Sequence, residues 1–564
     1  MDNANISFFL GEYQSAVNSA LEKMRWDNII ARIWAKDYTV WKPDPDEIAN
    51  RLGWLDAPAE TLEKINYIRA TLELFTKGSI NDVVLLGMGG SSLAAEVFNK
   101  IFGSEAGHPQ LHIMDTTDPV LIFQLTQHLD LGKTLFLVCS KSGTTLEITS
   151  LFHYFYNLTL EKMGSSASRH FIFITDKGSS LKELSKLLSL QHVFLSDSNI
   201  GGRYSALSMP GIVPAAIIGA DVEILLLNAI AAAKREKTGN FSGELAATGS
   251  VLGATLGTLA QKGRNKLTFI MSPQWAPLGN WLEQLIAEST GKEGKGILPV
   301  LGEPLADPRV YGQDRVFVFF QNETDNNSPK IAALVQAGHP VISIKPNDRF
   351  DLGSQMFLWE MATAVAGHLL GINPFDQPDV EATKAHTRRT ISLYREHKEL
   401  PSELPSSTTP ECVIYGGPPA AAFAGALKIF LSEAAQDDYV CLQVYLSPTP
   451  EVDEALRKLR ETIFTKHGLA VTIGYGPRYL HSTGQLHKGD SGNGLFIQLT
   501  ADDLLDIGIP DRIGVAGSTL TFGALKAAQA QGDWQALIDA ERRVIRFHWK
   551  VNPAAGLKKL TELL

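Results

Sequence analysis

The stretch LVCSKSGTTLE (137–147) constrains this chain more than any other, because an apolar run breaks there into a hydroxyl-rich turn and then resumes as a helix. Residues 136–139 have the unbroken apolar character of a buried parallel strand, and LEITSLFHYFYNL has the spacing of a helix packed on a sheet. Between them Ser140, Ser142, Thr144 and Thr145 set four hydroxyls around Gly143, where the backbone can approach a ligand closely. Free N–H groups and the positive end of the helix dipole attract anions at such a turn, phosphate above all. A phosphate monoester suits this chemistry. The turn is no Walker loop, because GxxxxGK[ST] is missing from the chain.

A second unit of the same kind precedes it. Residues 82–90 (DVVLLGMGG) form an apolar strand ending in glycines, followed by Ser91, Ser92 and the helical AAEVFNKIF. As a dinucleotide fingerprint this is weak: serine stands where a third glycine belongs, and the acidic residue expected some way on would be Asp115. Apolar runs at 111–114, 134–139, 171–175 and 192–195 alternate with helical segments, as do runs at 267–271, 316–320 and 341–344. Both series predict α/β layers with doubly wound parallel sheets, whose ligands lie at the carboxyl ends of the strands. The expected organisation is a helical N-terminal segment over 1–77, which includes Phe8, α/β domains over 78–245 and 246–396, and a Pro-rich linker over 397–411. A third small α/β domain over 412–564 completes it, with strands at 412–416, 439–445, 470–474, 494–499 and 513–515.

Composition excludes several classes. A net charge of -10 leaves no basic surplus for nucleic acid. No stretch of about 18 apolar residues and no basic leader followed by an apolar core is present, so neither a membrane nor an export route is expected. The three cysteines, Cys139, Cys412 and Cys441, sit in apolar runs without metal or redox spacing, as in a reducing cytoplasm.

Three further stretches carry chemistry. Gly201-Gly202-Arg203 brings backbone and guanidinium to one point at a helix start, where an arginine can stabilise a developing oxyanion or join two domains. In WLEQLIAESTGK, Glu283, Gln284 and Glu288 are the polar members of a largely apolar helix, and a carboxylate in apolar surroundings suits a general base. Lys384 lies near the start of the helix that follows NPFDQPD, where a cation opposes the dipole.

GMGGSSL, SKSGTTLE, GGRYS, EQLIAESTGK and NPFDQPDVEATK, in this order, resemble the motif series of the glucose-6-phosphate isomerases, which are built from tandem sugar-isomerase domains. The resemblance covers roughly 82–388. The flanking RIWAKDYTVWKPDPDEI and GPRYLHSTGQLHKG are similar to the isomerase half of bacterial transaldolase and glucose-6-phosphate isomerase fusions. It implies an aldose–ketose isomerase in which Ser140, Lys141, Ser142, Thr144 and Thr145 hold the substrate phosphate, while Gly90 and Ser91 contact the sugar. Glu288 would move a proton between C2 and C1 through a cis-enediol, and Arg203 would stabilise the enediolate. Gln284 and Gln377 would lie near the substrate, and Lys384 would assist ring opening. No metal or redox cofactor is implied.

One departure stands out. The family's ring-opening histidine follows Gly-Gln, whereas this chain reads Gly312-Gln313-Asp314. His339 and His368 are expected to be structural. His481 and His487, in a polar turn, are the candidates to replace it, with His386 third, and Lys526, read as another surface lysine, stays outside the catalytic set. The resemblance also favours a homodimer and raises a separate transaldolase as a partner. Two other readings are a non-catalytic sugar-phosphate-binding regulatory protein and a glutamine-dependent amidotransferase. The set Glu288, Arg203 and Lys384 argues against the first, and Asp2 in place of a cysteine nucleophile against the second.

Overall fold

The computed structural model describes residues 5–76, 80–243, 246–322, 324–417 and 423–564; the expected boundaries at 77/78 and 245/246 fall on or beside positions outside that set. The first sheet runs Gln110–Met114, Asp82–Leu86, Thr134–Cys139, Phe171–Asp176 and Val193–Ser196, with every neighbouring pair parallel. Its central strand Thr134–Cys139 is buried at every residue. That explains why it reads as a continuous apolar run: helices cover both faces.

The second sheet runs Ile6–Phe9, Val341–Ile344, Arg315–Phe320, Lys266–Met271 and Leu298–Val300. Its last four strands are parallel, and Ile6–Phe9 joins antiparallel to Val341–Ile344. This corrects the helical reading at Phe8. Ile6 and Phe8 are buried while Ser7 and Phe9 face outward, a two-residue period that four residues show too briefly to be distinguished from helical spacing. The open edge of Val341–Ile344 supplies the ladder that decides it. The helices Gln14–Trp26, Ile29–Trp34, Ala57–Glu63 and Ile65–Thr76 then follow, in the region read as helical.

The C-terminal unit is a mixed sheet in the order Ser407–Thr408, Cys412–Gly416, Arg543–Trp549, Gly494–Ala501, Tyr439–Tyr445 and Ala470–Tyr475. The central Arg543–Trp549 escaped the sequence reading because RVIRFHW carries two arginines and a histidine. Arg546 is nonetheless buried, its guanidinium 4.2 Å from the Tyr415 ring centroid and 4.9 Å from that of Trp534. The strand expected at 513–515 is a loop. The Asn157 side chain donates to the carbonyls of Arg512 and Val515 and accepts from the Gly514 N–H, taking up groups that a ladder would otherwise pair. Short strands form on either side instead, Gly508–Ile509 pairing with Leu520–Thr521.

This unit is not a separate appendage. Leu427, Val440 and Leu442 share a core with Phe317 and Phe319 of the second sheet. Phe522, Leu525 and Ala528 of the helix Phe522–Asp539 share another with Phe136 and Val138 of the first. The C-terminal chain therefore packs on both sheets.

Under the second sheet, Arg315 and Glu303 form an ion pair at 2.9 Å with neither side chain exposed, and Arg315 also donates to Thr268 Oγ1 at 2.8 Å. Such a pair is expensive to halve, because the remaining charge has no solvent. Arg315→Met is expected to lower unfolding free energy by about 3–5 kcal/mol, read as a shift of the urea midpoint. A change within error would show that Glu303 finds another partner.

Candidate active site

The turn after strand Thr134–Cys139 leads into the helix Leu146–Met163, whose N-cap, Thr145, makes no side-chain cap. The first-turn N–H groups therefore remain available to a ligand. The hydroxyls order the turn among themselves: Ser140 Oγ accepts from the Gly143 N–H at 3.1 Å, Ser142 and Thr144 share a bond at 2.9 Å, and Ser140 and Thr145 lie 3.5 Å apart. Gly143 has φ +75°, and a Cβ there would stand 2.4 Å from Ser180 Oγ. Lys141 donates to the carbonyls of Ser198 and Ile200, and burial pulls its pKa down. Beside it, burial pushes the Asp176 carboxyl up to about 6.

This turn forms one end of a cleft of about 960 Å³ between the two parallel sheets and the C-terminal unit. Gly90 and Ser91 line it from the neighbouring βα turn. Gly90 packs on the backbone of Gly202, where a Cβ would meet the carbonyl at 2.1 Å, so the two glycine loops touch directly.

Arg203 follows in the cleft wall, 2% exposed, and every arm of its guanidinium is used. Nε donates to Ser289 Oγ at 2.7 Å, Nη1 to Gln377 Oε1 at 2.9 Å, and Nη2 to the carbonyls of Pro374 and Asp376. Nη1 also lies 3.3 Å from Glu288 Oε1. The other oxygen of Glu288 accepts from Gln284 Nε2 at 3.1 Å. Glu288 thus sits between a cation and an amide on the helix Leu278–Thr290, not in the apolar setting its neighbours in sequence suggest. The helix carboxyl raised by burial is that of Glu283, pushed up to about 7. Behind Arg203, Lys292 pairs with Asp376 at 2.6 Å, and burial followed by the Arg203 charge brings it down to about 8. Lys384 lines the cleft opposite, exposed and paired to Glu381 at 2.6 Å.

His481 completes the wall from the C-terminal unit. Its backbone carbonyl accepts from Gln284 Nε2 at 2.7 Å, and its Nε2 lies 2.8 Å from Glu147 Oε1. Burial would raise Glu147, but the adjoining His481 ring holds it below the usual carboxylate range. With Nε2 bonded to the carboxylate, Nδ1 is the ring atom left for other chemistry.

A family model described as phosphoglucose isomerase matches residues 61–294. A glucose-6-phosphate isomerase of Mycoplasmopsis pulmonis is 30% identical over 388 residues, which span 59% of this chain and 88% of that relative. The chain belongs to the phosphoglucose isomerase family. A probable glucose-6-phosphate isomerase of Methanococcus maripaludis is 28% identical over 379 residues, 60% of this chain and 84% of the relative. Among solved structures, a hypothetical protein from Thermus thermophilus superposes with a TM-score of 0.57 at 26% identity, covering 68% of this chain and 99% of that one. A glucose-6-phosphate isomerase from Chlamydia trachomatis, at 19% identity, shares the fold with a TM-score of 0.56, covering 67% of this chain and 86% of its own. The phosphoglucose isomerase model ends before Gln377, Lys384 and His481, so the cleft itself is what unites those residues with the matched ones.

Of the residues singled out in the sequence, the fold brings together Gly90, Ser91, Ser140, Lys141, Ser142, Thr144, Thr145, Arg203, Gln284, Glu288, Gln377, Lys384 and His481. It does not bring His487. That ring is fully buried between Tyr479 and Phe496, its Nδ1 3.4 Å from Gln443 Nε2, and burial holds its pKa well below the ordinary value. The short helix Gly484–Gly489 turns it into the core. His386 pairs with Asp539 at 2.8 Å, His339 with the Pro308 carbonyl and His368 with that of Val40, all outside the cleft. Gln313, of the Gly-Gln-Asp segment, accepts from Arg264. Asp115, the acid a dinucleotide fingerprint would offer to a ribose, is buried and already engaged by Ser92 at 3.1 Å and by Arg478 at 3.4 Å.

Sequence reasoning missed Glu147, Lys488 and Gln529 in the wall. Glu147 stood in the most informative stretch of the chain, but only the fold brings a histidine to it. Lys488 and Gln529 carried no motif. Lys526, set aside as a surface lysine, is buried and paired to Asp118 at 2.8 Å. Among the described residues, a grouping of metal-ligand spacing, Asp82, His112 and His128, lies outside this cleft, with Asp82 and His112 already bonded to each other at 2.8 Å.

The two glycine loops give a contrast that can be measured. Gly90→Ala forces a methyl group into Gly202 and is expected to destabilise the protein by about 1–3 kcal/mol, whereas in Gly202→Ala the nearest atom stands at 3.8 Å and melting should be unchanged. Equal melting temperatures for the two variants would mean that the loops separate freely.

Proposed function

We propose that this protein interconverts glucose 6-phosphate and fructose 6-phosphate by proton transfer through a cis-enediol. The observation that carries the reading is Glu288, held between Arg203 at 3.3 Å and Gln284 at 3.1 Å in the cleft whose far end is the hydroxyl turn. In this reading the substrate phosphate docks on Ser140, Ser142, Thr144 and Thr145 and on the free N–H groups of the helix start, with Lys141 adding charge. Gly90, Ser91, Gln284 and Gln377 then flank the sugar.

Ring opening comes first, with His481 and Lys384 as the groups that move protons between the ring oxygen and the C1 hydroxyl of the aldose, or the C2 hydroxyl of the ketose. Glu288 then removes the proton at C2 and returns it at C1. As the carbonyl oxygen gains charge, the Arg203 guanidinium, held beside Glu288 by four other acceptors, stabilises it through its positive charge rather than through a spare N–H. The carbon-bound proton moves from C2 to C1, the hydroxyl proton passes from O2 to O1, and the sugar's own electrons redistribute, so the chemistry calls on no redox partner.

The same reading carries a cytoplasmic homodimer, which sedimentation tests by its mass. Among the described residues no helix is long and apolar enough to cross a membrane. A separate transaldolase chain as partner rests on the flanking motifs alone, and co-purification of the two chains tests it; clean separation rejects it.

The deciding assay converts fructose 6-phosphate to glucose 6-phosphate with EDTA present. Glu288→Gln is expected to lose about 10²–10⁴-fold in turnover and His481→Ala about 10²-fold, whereas His487→Gln should keep the turnover of the unaltered enzyme. Binding of sugar phosphate without turnover in the unaltered protein would establish the regulatory reading instead.

A further inference from the structure

The C-terminal unit reaches the site by a second route besides His481. Gln529, on the helix Phe522–Asp539, is 3% exposed and uses both ends of its amide. Its Nε2 donates to Glu147 Oε1 at 2.7 Å, and its Oε1 accepts from Thr117 Oγ1 at 2.9 Å. The oxygen it reaches is the one that holds His481 Nε2 at 2.8 Å. A serial arrangement results, in which Thr117 orients Gln529, Gln529 locates one oxygen of Glu147, and that oxygen orients the imidazole.

The helix is anchored on both sides of Gln529. One turn earlier, Lys526 pairs with Asp118, the residue next to Thr117, and also with Asp503. One turn later, Asp533 receives Lys488 at 2.6 Å and Tyr479 Oη at 2.6 Å. Buried charges of this kind add little net stability over apolar packing, yet they locate a backbone closely because each tolerates little displacement. Of the three residues, Gln529 is the one that faces the cleft.

We infer that Gln529 is a positioning residue for ring opening, acting through Glu147 to set the orientation and tautomer of His481. The inference rests on the isomerase reading above. A neutral amide suits this place. It donates to the carboxylate without neutralising it, so Glu147 keeps the charge that favours a proton on His481 Nε2 and leaves Nδ1 facing the substrate. Without that donor, Glu147 is free to rotate and the imidazole loses its fixed partner.

The test is a double-mutant cycle on the full-length enzyme with fructose 6-phosphate, with melting temperatures measured throughout. Gln529→Met, which keeps the length and removes both polar ends, is expected to lower kcat on the order of 10–100-fold with KM changed less than about twofold. In a His481→Ala background the same substitution should cost nothing further, because the residue it positions is gone. Gln529→Glu places a second carboxyl against Glu147, one of the pair must take up a proton, and the acid limb of the kcat profile should move up by about one unit or more. A residue that only supports the fold would give losses that add in the cycle and an unmoved pH profile. Unchanged turnover in Gln529→Met, or additive losses in the cycle, overturns the inference while the isomerase reading stands. Absence of turnover in the unaltered enzyme removes both.

Discussion

The site depends on one buried guanidinium. Arg203 leaves the first parallel domain, bonds to Ser289 of the helix Leu278–Thr290, and spends its remaining donors on Gln377 and on two carbonyls of the 374–377 turn. The contacts fall in two other parts of the chain, the helix and the turn. A cation with 2% exposure is tolerable only if all its donors are met, so the three segments are held at one separation. Glu288, placed by the same helix, then has no choice but to face Arg203. The geometry that makes the pair suitable for enolisation is the geometry that satisfies the charge.

Around this centre the two parallel sheets present their ligand turns at the carboxyl ends of the strands, as doubly wound layers do. The cleft is closed from the chain's own C-terminal unit. That unit contributes His481 through a turn after Ala470–Tyr475 and Gln529 through the helix that precedes Arg543–Trp549. Shared apolar cores with both parallel sheets bury its attachment, and the Arg478 bonds to Glu96 and Asp115 tie its histidine-bearing turn to the first βα unit. The His481–Glu147 contact spans 334 residues of sequence, and it follows from this docking.

Parts of the site were legible in the chain because their chemistry is local. The hydroxyl turn and the glycine pair carry their own strand and helix signals, so Thr145 and Gly90 could be placed in ligand-holding turns before the fold was known, whereas Glu288 was separated from Glu283 only by the resemblance. Choosing between His481 and His487 was beyond such reasoning. They lie six residues apart in the same polar turn, and both read as exposed. The fold sends one into the cleft and the other between Tyr479 and Phe496. The edge strand Ile6–Phe9 and the central strand Arg543–Trp549 were hidden for related reasons: the first is too short to show its period, and the second carries charges met by partners distant in sequence, the Tyr415 and Trp534 rings and Glu403 for Arg546 and Asp438 for Arg543.

The sequence by itself determined the class of fold and the family, because strands buried on both faces and turns that bind anions need particular residues in continuous order. Tertiary structure alone decided which histidine serves the cleft, that Glu147 and Gln529 stand behind it, and that Lys526 is an anchor rather than a surface charge. These are contacts between segments hundreds of residues apart. No local pattern encodes them, since the free energy that selects them comes from the packing of one domain on another.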